Sequence, residues 1–540
     1  MTDYLIVGGG TAGLVVAARL SEDPNVKVTV LESGPDRTYN DQVQDPKMWR
    51  ALSGTNLDWK VKMAPAAKLN NRRLDHPAGR VLGGSSVING MAYVAPSPAG
   101  IDAWAKLGNP NWTWKSLKPY FNKSITVNMP DSLGDSLGPQ PAAHGPVQLS
   151  FPAVGNRDNN TLLNAWNTAF KNLKYEFNPS VLPEKPLGIR PYVATIDPKT
   201  GLRSGADRGY GAMASARPNV TIITNATVRK ILFKHDSFTD AIATGVEVSV
   251  NGIVSTYNAT KEVILAAGAF NTPKILEHSG IGQRELLQKF RVPVIVNSPG
   301  VGENLQNHVM YPIRAPLKEH HGLKHLSPGM KSLALVRVHT VEQKVFNKMH
   351  EEEFEGKTGE VVRSLLEDHS EPTACIVLSI ASPRLAMIVP ILSYPLSRGS
   401  CHINAANPYT NPTVRSKLCS KQLDIESLAK QVQACCCTIN SPFMQPIFEK
   451  NTRDLHVMSI VNDLRGEALP AHHACGTAAM LPKEAGGVVD QNLIVYGTKN
   501  LRIVDASIFP LIPLANPLAT VYAVAERAAD LIKGRTSYTE

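Results

Sequence analysis

Hydrophobic and polar positions change rhythm several times along this chain. Four apolar residues run unbroken from Tyr4 to Val7, a glycine turn follows, and then Leu14, Ala17 and Leu20 recur at helical spacing until Pro24. A continuous apolar run suits a parallel strand covered on both faces, and the 3.6-residue spacing predicts a helix. A second strand in "VKVTVLESG" (26–34) completes a strand–helix–strand unit. From 35 to 75 the chain is polar and loop-like, with "NLDW" as its clearest aromatic anchor. "HPAGRVLGGSSVINGMAYV" (76–94) is rich in glycine and serine, and 130–150 reads as an exposed Pro/Gly connector. "NVTIITNATVRKILF" and "GVEVSVNGIVSTYNATKEVILAAGAF" alternate as strands do. Between 310 and 465 the rhythm is weakest; a charged helical stretch (341–369) and a strand, "AMIVPILSY", stand out. Order returns with a strand in "NLRIVDAS" and a helix, "PLATVYAVAERAADLIKG", stopped at Gly534. No internal repeat is visible.

Composition narrows the classes. The 540 residues are 43% hydrophobic and 19% charged, enough for two or three cores. No apolar run approaches the roughly 18 residues a membrane span needs, so a soluble chain with no membrane span is expected. The formal charge is +10, but Lys and Arg are scattered and not interleaved with aromatics. A nucleic-acid partner is therefore not expected; the excess can help attract an anionic cofactor. The seven cysteines (375, 401, 419, 435, 436, 437 and 475) form no CxxC pair, and three are consecutive. They read as small buried hydrophobes, with no metal site. The chain runs directly into a strand, so a cytoplasmic location is favoured, or a secreted one if a leader was removed. N-x-S/T triplets start at Asn111, Asn122, Asn159, Asn219, Asn225 and Asn258, with Asn225 expected inside a strand where no glycan fits.

The glycine turn carries the first chemistry. Gly8, Gly10 and Gly13 form G-x-G-x-x-G between the first strand and helix. Gly8 permits the tight turn, Gly10 lets backbone approach a pyrophosphate, and Gly13 lets helix and strand pack closely. The helix N-terminus adds free N–H groups and partial positive charge. Glu32 closes the second strand, where its carboxylate can take both ribose hydroxyls and repel a 2′-phosphate. A dinucleotide follows; the motif alone leaves NAD and FAD open.

Further segments occur in a fixed order: "HPAGRVLGGSSVINGMAYV", "GLRSGADRGY", "NVTIITNATV", "GAFNTPKILEHSGIG", "PGVGENLQNH", "HHACGTAAM" and "NLRIVDASIFP". This set resembles the glucose–methanol–choline (GMC) family of FAD-dependent oxidoreductases, and its general style is similar to fungal members. The resemblance covers both ends and the middle, leaving chiefly 130–190 and 310–465 unmatched. It implies an α/β fold: a Rossmann-like FAD domain (1–130, 190–308 and 466–540) and an antiparallel-sheet-plus-helices substrate domain (131–189 and 309–465).

The resemblance also implies a cofactor site. To Gly8, Gly10, Gly13 and Glu32 it adds Thr11 and Ala12 at the helix start, Arg80, and Gly83, Gly84, Ser85 and Ser86 against the flavin and pyrophosphate. Asn89 and Gly90 come beneath the flavin, Met91 follows them in the cofactor set, and Val228 comes at the adenine. Ala267 and Gly268, then Asp505, Ala506 and Pro517, complete the set. Some members carry a histidine bonded to the flavin; Ile88 stands at that position here, so non-covalent FAD is expected.

The resemblance places the catalytic pair at His473, three residues before G-T in "HHACGTAAM", and Asn516, ten before Glu526. Removing hydride from a carbinol requires a base for the hydroxyl proton and a donor for the developing alkoxide, roles these two would fill. His472 should point elsewhere if its segment is extended. The expected reaction is oxidation of a small-molecule alcohol by hydride transfer to the flavin, with O₂ or another acceptor reoxidising it. With aromatics at 6% there is no evident sugar-stacking platform. Aryl, aliphatic or secondary-metabolite alcohols are the expectation by family analogy. A non-redox lyase or cyclase, and a non-catalytic flavoprotein, are the competing classes; retention of Asn516 and His473 argues against each.

Overall fold

In this computed structural model the described residues are 1–130, 144–154, 157–234, 240–319, 323, 326–338 and 348–535. Most of the expected connector at 130–150, and the start of the charged stretch at 341–369, lie outside them. So do His320 and His321, which the sequence suggests are solvated.

Two seven-stranded sheets organise the α/β chain. In the first, Thr2–Val7 lies between Val28–Leu31 and Ile253–Leu265, all parallel, with Val220–Ile223 and Leu501–Ile503 extending the parallel part. The apolar runs read from the sequence are these strands: Val28–Leu31 is buried throughout. Ile253–Leu265 belongs to two environments. Its first half pairs antiparallel with Ile242–Val250 and is mostly exposed, while Val263, Ile264 and Leu265 sink into the parallel core. Helix Thr11–Leu20 packs against this sheet and against the last helix, Leu518–Ile532. Buried Glu526 holds that junction, accepting from Arg19 Nε at both carboxylate oxygens (2.9 Å each), from Arg19 Nη2 (2.7 Å) and from Tyr210 Oη (2.6 Å).

The second sheet is antiparallel. Its order is Leu469–Pro470, Val309–Met310, Leu385–Leu392, Ala374–Ser382, Gly329–Val336 and Gly188–Pro191, with Ile313–Pro316 also on the Leu385–Leu392 strand. One face carries Leu333, Val377, Val389 and Ile391, which face the first sheet's core. The other carries Ala334, Ile376, Leu378 and Ile388, packed on helices Gln422–Ile439 and Val457–Glu467. Period-two alternation therefore holds, although both faces are apolar because both are covered. Leu469–Pro470 sits in this sheet, although the sequence-derived boundaries group it with the nucleotide half.

Three local expectations change. Residues 35–75 contain short helices at Asp41–Gln44 and Trp49–Leu52 and a strand pair, Val61–Lys62 with Asp75–His76. Within 341–369 the described α-helix is Gly356–Glu367. Asn225 is not in a strand; it is an exposed turn residue at φ 54° between Val220–Ile223 and Ala226–Lys234. Six of the seven cysteines are buried and Cys437 is exposed. No helix among the described residues is long and apolar enough to cross a membrane.

Candidate active site

A single cavity of about 1190 Å³ runs from Glu32 and Val228, past the glycine turn, to His473 and Asn516, with the antiparallel sheet as its far wall. That exceeds the usual volume for one small molecule and suits a cofactor and a substrate together.

Its floor is backbone. Gly8 has φ +107°, and a Cβ there would stand 2.4 Å from Ala266 O. A Cβ on Gly13 would stand 2.0 Å from Gly8 O, so Gly13 closes the helix onto the turn. Gly84, at φ +57°, approaches Gly10 so closely that its Cβ would lie 2.8 Å from Gly10 Cα. Two glycine turns thus lie back to back. Helix Thr11–Leu20 opens beside them with no acidic residue in its first turn, leaving its free N–H groups for an anion. Glu32 Oε2 accepts from Gly9 N (2.9 Å) and Oε1 from Gly34 N (2.7 Å). Each oxygen keeps a lone pair for a ribose hydroxyl. Burial raises the Glu32 carboxyl to about 7 against the lowering effect of those N–H groups and Arg80. This floor fits FAD: its N–H groups meet phosphates and its carboxylate meets a ribose.

Of the residues named from the sequence, Gly8, Gly10, Thr11, Ala12, Glu32, Gly84, Ser85, Asn89, Gly90 and Met91 line this cavity. Val228, Ala267, Gly268, Asp505, Ala506 and Pro517 line it as well, and so does Ile88. Gly13, Gly83 and Arg80 are not on its wall. Gly13 is spent on packing; a Cβ on Gly83 would meet Val87 at 2.4 Å; and Arg80 turns over the Trp59 ring at 5.3 Å. Asp505 faces inward: its carboxylate accepts from Gly268 N (2.9 Å), Thr272 Oγ1 (2.6 Å) and Ser507 N (2.7 Å), fixing the start of helix Gly268–His278. Met91 adopts φ +62°, and Asn89 Oδ1 accepts its N–H at 3.0 Å, so the loop holds a left-handed turn without glycine there.

The far end is built from side chains. His473 Nε2 lies 3.0 Å from Asn516 Nδ2, and its Nδ1 lies 2.9 Å from Nδ1 of His308. His308 Nε2 is 3.0 Å from Ser393 O. A carbonyl only accepts, so His308 Nε2 carries a proton, and the neutral ring's Nδ1 must accept. His473 Nδ1 then donates, which leaves its Nε2 lone pair toward Asn516. Burial holds both rings neutral: His308 falls to about 4, and His473 lies well below the ordinary histidine value, with His308, His472 and His76 adding to the effect. Asn307 Oδ1 accepts the backbone N–H of His473 at 2.9 Å.

His472 does not leave the site as strand alternation suggests. Its φ of +62° breaks the extension, and its ring lines the same cavity, edge-on to His76 at 5.2 Å. Sequence reading missed His308. It sits in "NLQNH", within a matched segment, but 165 positions separate it from His473 and nothing in the sequence pairs the two.

Family models for GMC oxidoreductases match residues 2–310 and 395–525. The chain belongs to the GMC oxidoreductase family. It is 33% identical to the GMC oxidoreductase family protein Mala s 12 of Malassezia sympodialis, over 98% of this chain and 92% of that one. It is 32% identical to an oxygen-dependent choline dehydrogenase of Cronobacter sakazakii, over 99% and 95%. An FAD-dependent oxidoreductase from Chaetomium thermophilum superposes with a TM-score of 0.89 at 27% identity, each chain 99% covered. This GMC protein is an FAD-dependent oxidoreductase, and both glycine turns lie within the N-terminal family-model match.

Proposed function

We propose that this GMC oxidoreductase oxidises an alcohol to an aldehyde or ketone, with His473 as the base, Asn516 as the donor to the substrate oxygen, and FAD held non-covalently. The observation that carries this reading is the 3.0 Å approach of Asn516 Nδ2 to His473 Nε2 at the cavity wall. The His473 lone pair and the Asn516 N–H answer each other directly, and a carbinol hydroxyl that parts them would donate to the first and accept from the second. The histidine relay keeps His473 in the accepting tautomer, with Ser393 O as its fixed end. Bound FAD supplies the hydride acceptor. Burial keeps the base unprotonated before substrate arrives and excludes water from the developing alkoxide. Similarity to a choline dehydrogenase is consistent with a CH–OH donor.

Ile88 is buried on the cavity wall and offers no nucleophile for a covalent flavin link. Acid precipitation should leave a yellow supernatant; a yellow pellet overturns this part. The test of the whole reading is anaerobic mixing of the holoprotein with a panel of aryl, aliphatic and amphipathic alcohols. Bleaching of the flavin band with aldehyde or ketone formed supports it. Product without bleaching, or no reaction across the panel, rejects it.

A further inference from the structure

Substrate specificity has a second pole, far from the catalytic pair. The antiparallel wall presents Met310, Leu333, Val377, Met387, Val389 and Ile391 to the cavity, an apolar and adaptable surface. One cation interrupts it. Lys331 lines the same cavity, is 2% exposed, and its Nζ donates to Ser327 Oγ at 2.8 Å. Ser327 and Ser379 are also on the cavity wall.

Two features show that Lys331 is placed rather than tolerated. First, the ladder slips beside it: Met330 pairs with Ser379 and Ser332 with Leu378, so Lys331 is the extra residue of a β-bulge. In a regular strand neighbours face opposite ways, yet Met330, Lys331 and Leu333 all reach the cavity. Re-aiming a side chain beside a site is a recurrent use of bulges. Second, no carboxylate pairs with Lys331 among the described residues. The carboxylates on the cavity wall are committed elsewhere: Glu32 to Gly9 and Gly34, Asp505 to Gly268, Thr272 and Ser507, and Asp45 to the Lys47 N–H. Burial pushes the amine down to about 8, so near neutral pH it still carries charge in apolar surroundings. An unpaired buried charge is costly unless a ligand answers it.

We propose that Lys331, with the Ser327 and Ser379 hydroxyls, is the subsite for an anionic group at the opposite end of the substrate from its carbinol. The substrate class is then an amphipathic alcohol: an apolar body ending in a carboxylate or similar oxyanion. Which end carries the carbinol rests on the alcohol-oxidation reading. The sheet gives the scale of the span, measured from Met310, two residues after His308. Met310, Ile391, Cys375 and Leu335 form one cross-strand row, and Lys331 lies four residues before Leu335. Three strand spacings and four residues amount to roughly 19 Å along the sheet, and its twist shortens the straight path.

The test uses the holoprotein and needs no turnover. Alkyl carboxylates, alkyl sulfates, the matching primary amides and alkylamines of equal length are titrated while the flavin spectrum is followed. One answered buried charge should favour an anion over the amide by on the order of 10- to 100-fold, and disfavour the amine. Lys331→Met should erase the difference between acid and amide. Carboxylate against sulfate identifies the oxyanion, and a chain-length series of ω-hydroxyalkanoates against their methyl esters reads the span as an optimum in kcat/KM. Equal affinity for acid and amide in the unmodified protein overturns the inference even if the variant fails to fold, as does an acid preference that survives in Lys331→Met. A preserved acid preference without alcohol oxidation would sink the oxidation reading and leave this one standing; oxidation without acid preference does the reverse.

Discussion

The glycine floor and the antiparallel wall face each other across one cavity, and they are made of different material. The floor is backbone: Gly8, Gly10 and Gly84 bring main chain to the cavity surface, Gly8 and Gly84 where a Cβ would clash, and Gly13 packs the helix onto the turn from behind. The wall and the catalytic end are side chains: His308, His473 and Asn516 held in a relay, then methionines and a single lysine. A floor built from main chain can hold any molecule with the right phosphates and ribose. On the proposed reading, a wall built from side chains selects which carbinol reacts. Binding the cofactor and choosing the chemistry should therefore come apart under mutation, in opposite directions at the two ends.

The largest separation is expected at His473. His473→Ala removes the proposed base while leaving the floor intact, so the protein should remain yellow with full FAD content. Flavin reduction by alcohol should slow by about 10²- to 10⁴-fold, measured by anaerobic stopped flow. Next comes Asn516→Ala, which keeps the proposed base and removes the proposed donor. A loss of roughly 10²- to 10³-fold is expected, again without loss of colour. A colourless His473 or Asn516 variant would show that these side chains build the cofactor site, and the contrast would fail.

The opposite outcome is expected at the floor. Gly84→Ala places a Cβ 2.8 Å from Gly10 Cα at a residue with φ +57°. Overpacking plus left-handed strain costs about 2 to 4 kcal/mol. The neighbour is backbone and cannot turn aside. This variant should purify with reduced FAD content and a lower melting temperature, while the fraction that retains flavin is reduced by alcohol at close to the unmodified rate. A slow but fully yellow Gly84→Ala protein would break the comparison from the other side.

The same division explains what could be read from the sequence. The floor was legible because glycine at fixed spacing records a backbone demand locally: Gly8, Gly10 and Glu32 all reach the cavity from one strand–helix–strand unit. Gly13, in the same motif, reaches only the turn it packs on, and Gly83 likewise packs on Val87. His473 and Asn516 were named through family segments, not through any local pattern. The wall was nearly silent, since its strands are apolar on both faces and alternation carries no contrast there. His308 and Lys331 were invisible for a further reason. One acts through a contact spanning 165 positions, and the other is aimed by a register slip no residue type announces. His472 failed because extended backbone was assumed where φ is +62°.

The joint between the two regions gives the smallest effect. His402, on strand Ser400–His402 beyond the antiparallel sheet, reaches Glu277 of helix Gly268–His278 through Nδ1 at 2.7 Å and Glu303 through Nε2 at 2.9 Å. Burial alone would lower its pKa, but the two carboxylates overcome this and raise it to about 9. The folded state therefore binds this proton more tightly than the unfolded chain does. Its stabilisation is complete below about 6.5, the ordinary histidine value, and is lost as pH rises through about 9. Lys331 and Lys274 work the other way, since burial lowers each to about 8 and the unfolded chain holds their protons longer. Only the difference between proteins isolates the joint. His402→Gln should melt lower than the unmodified protein at pH 6, by on the order of 1–2 °C, and the gap should close by pH 9.5. A gap independent of pH would mean that His402 acts by packing, and the two regions would then be joined by shape and not by charge.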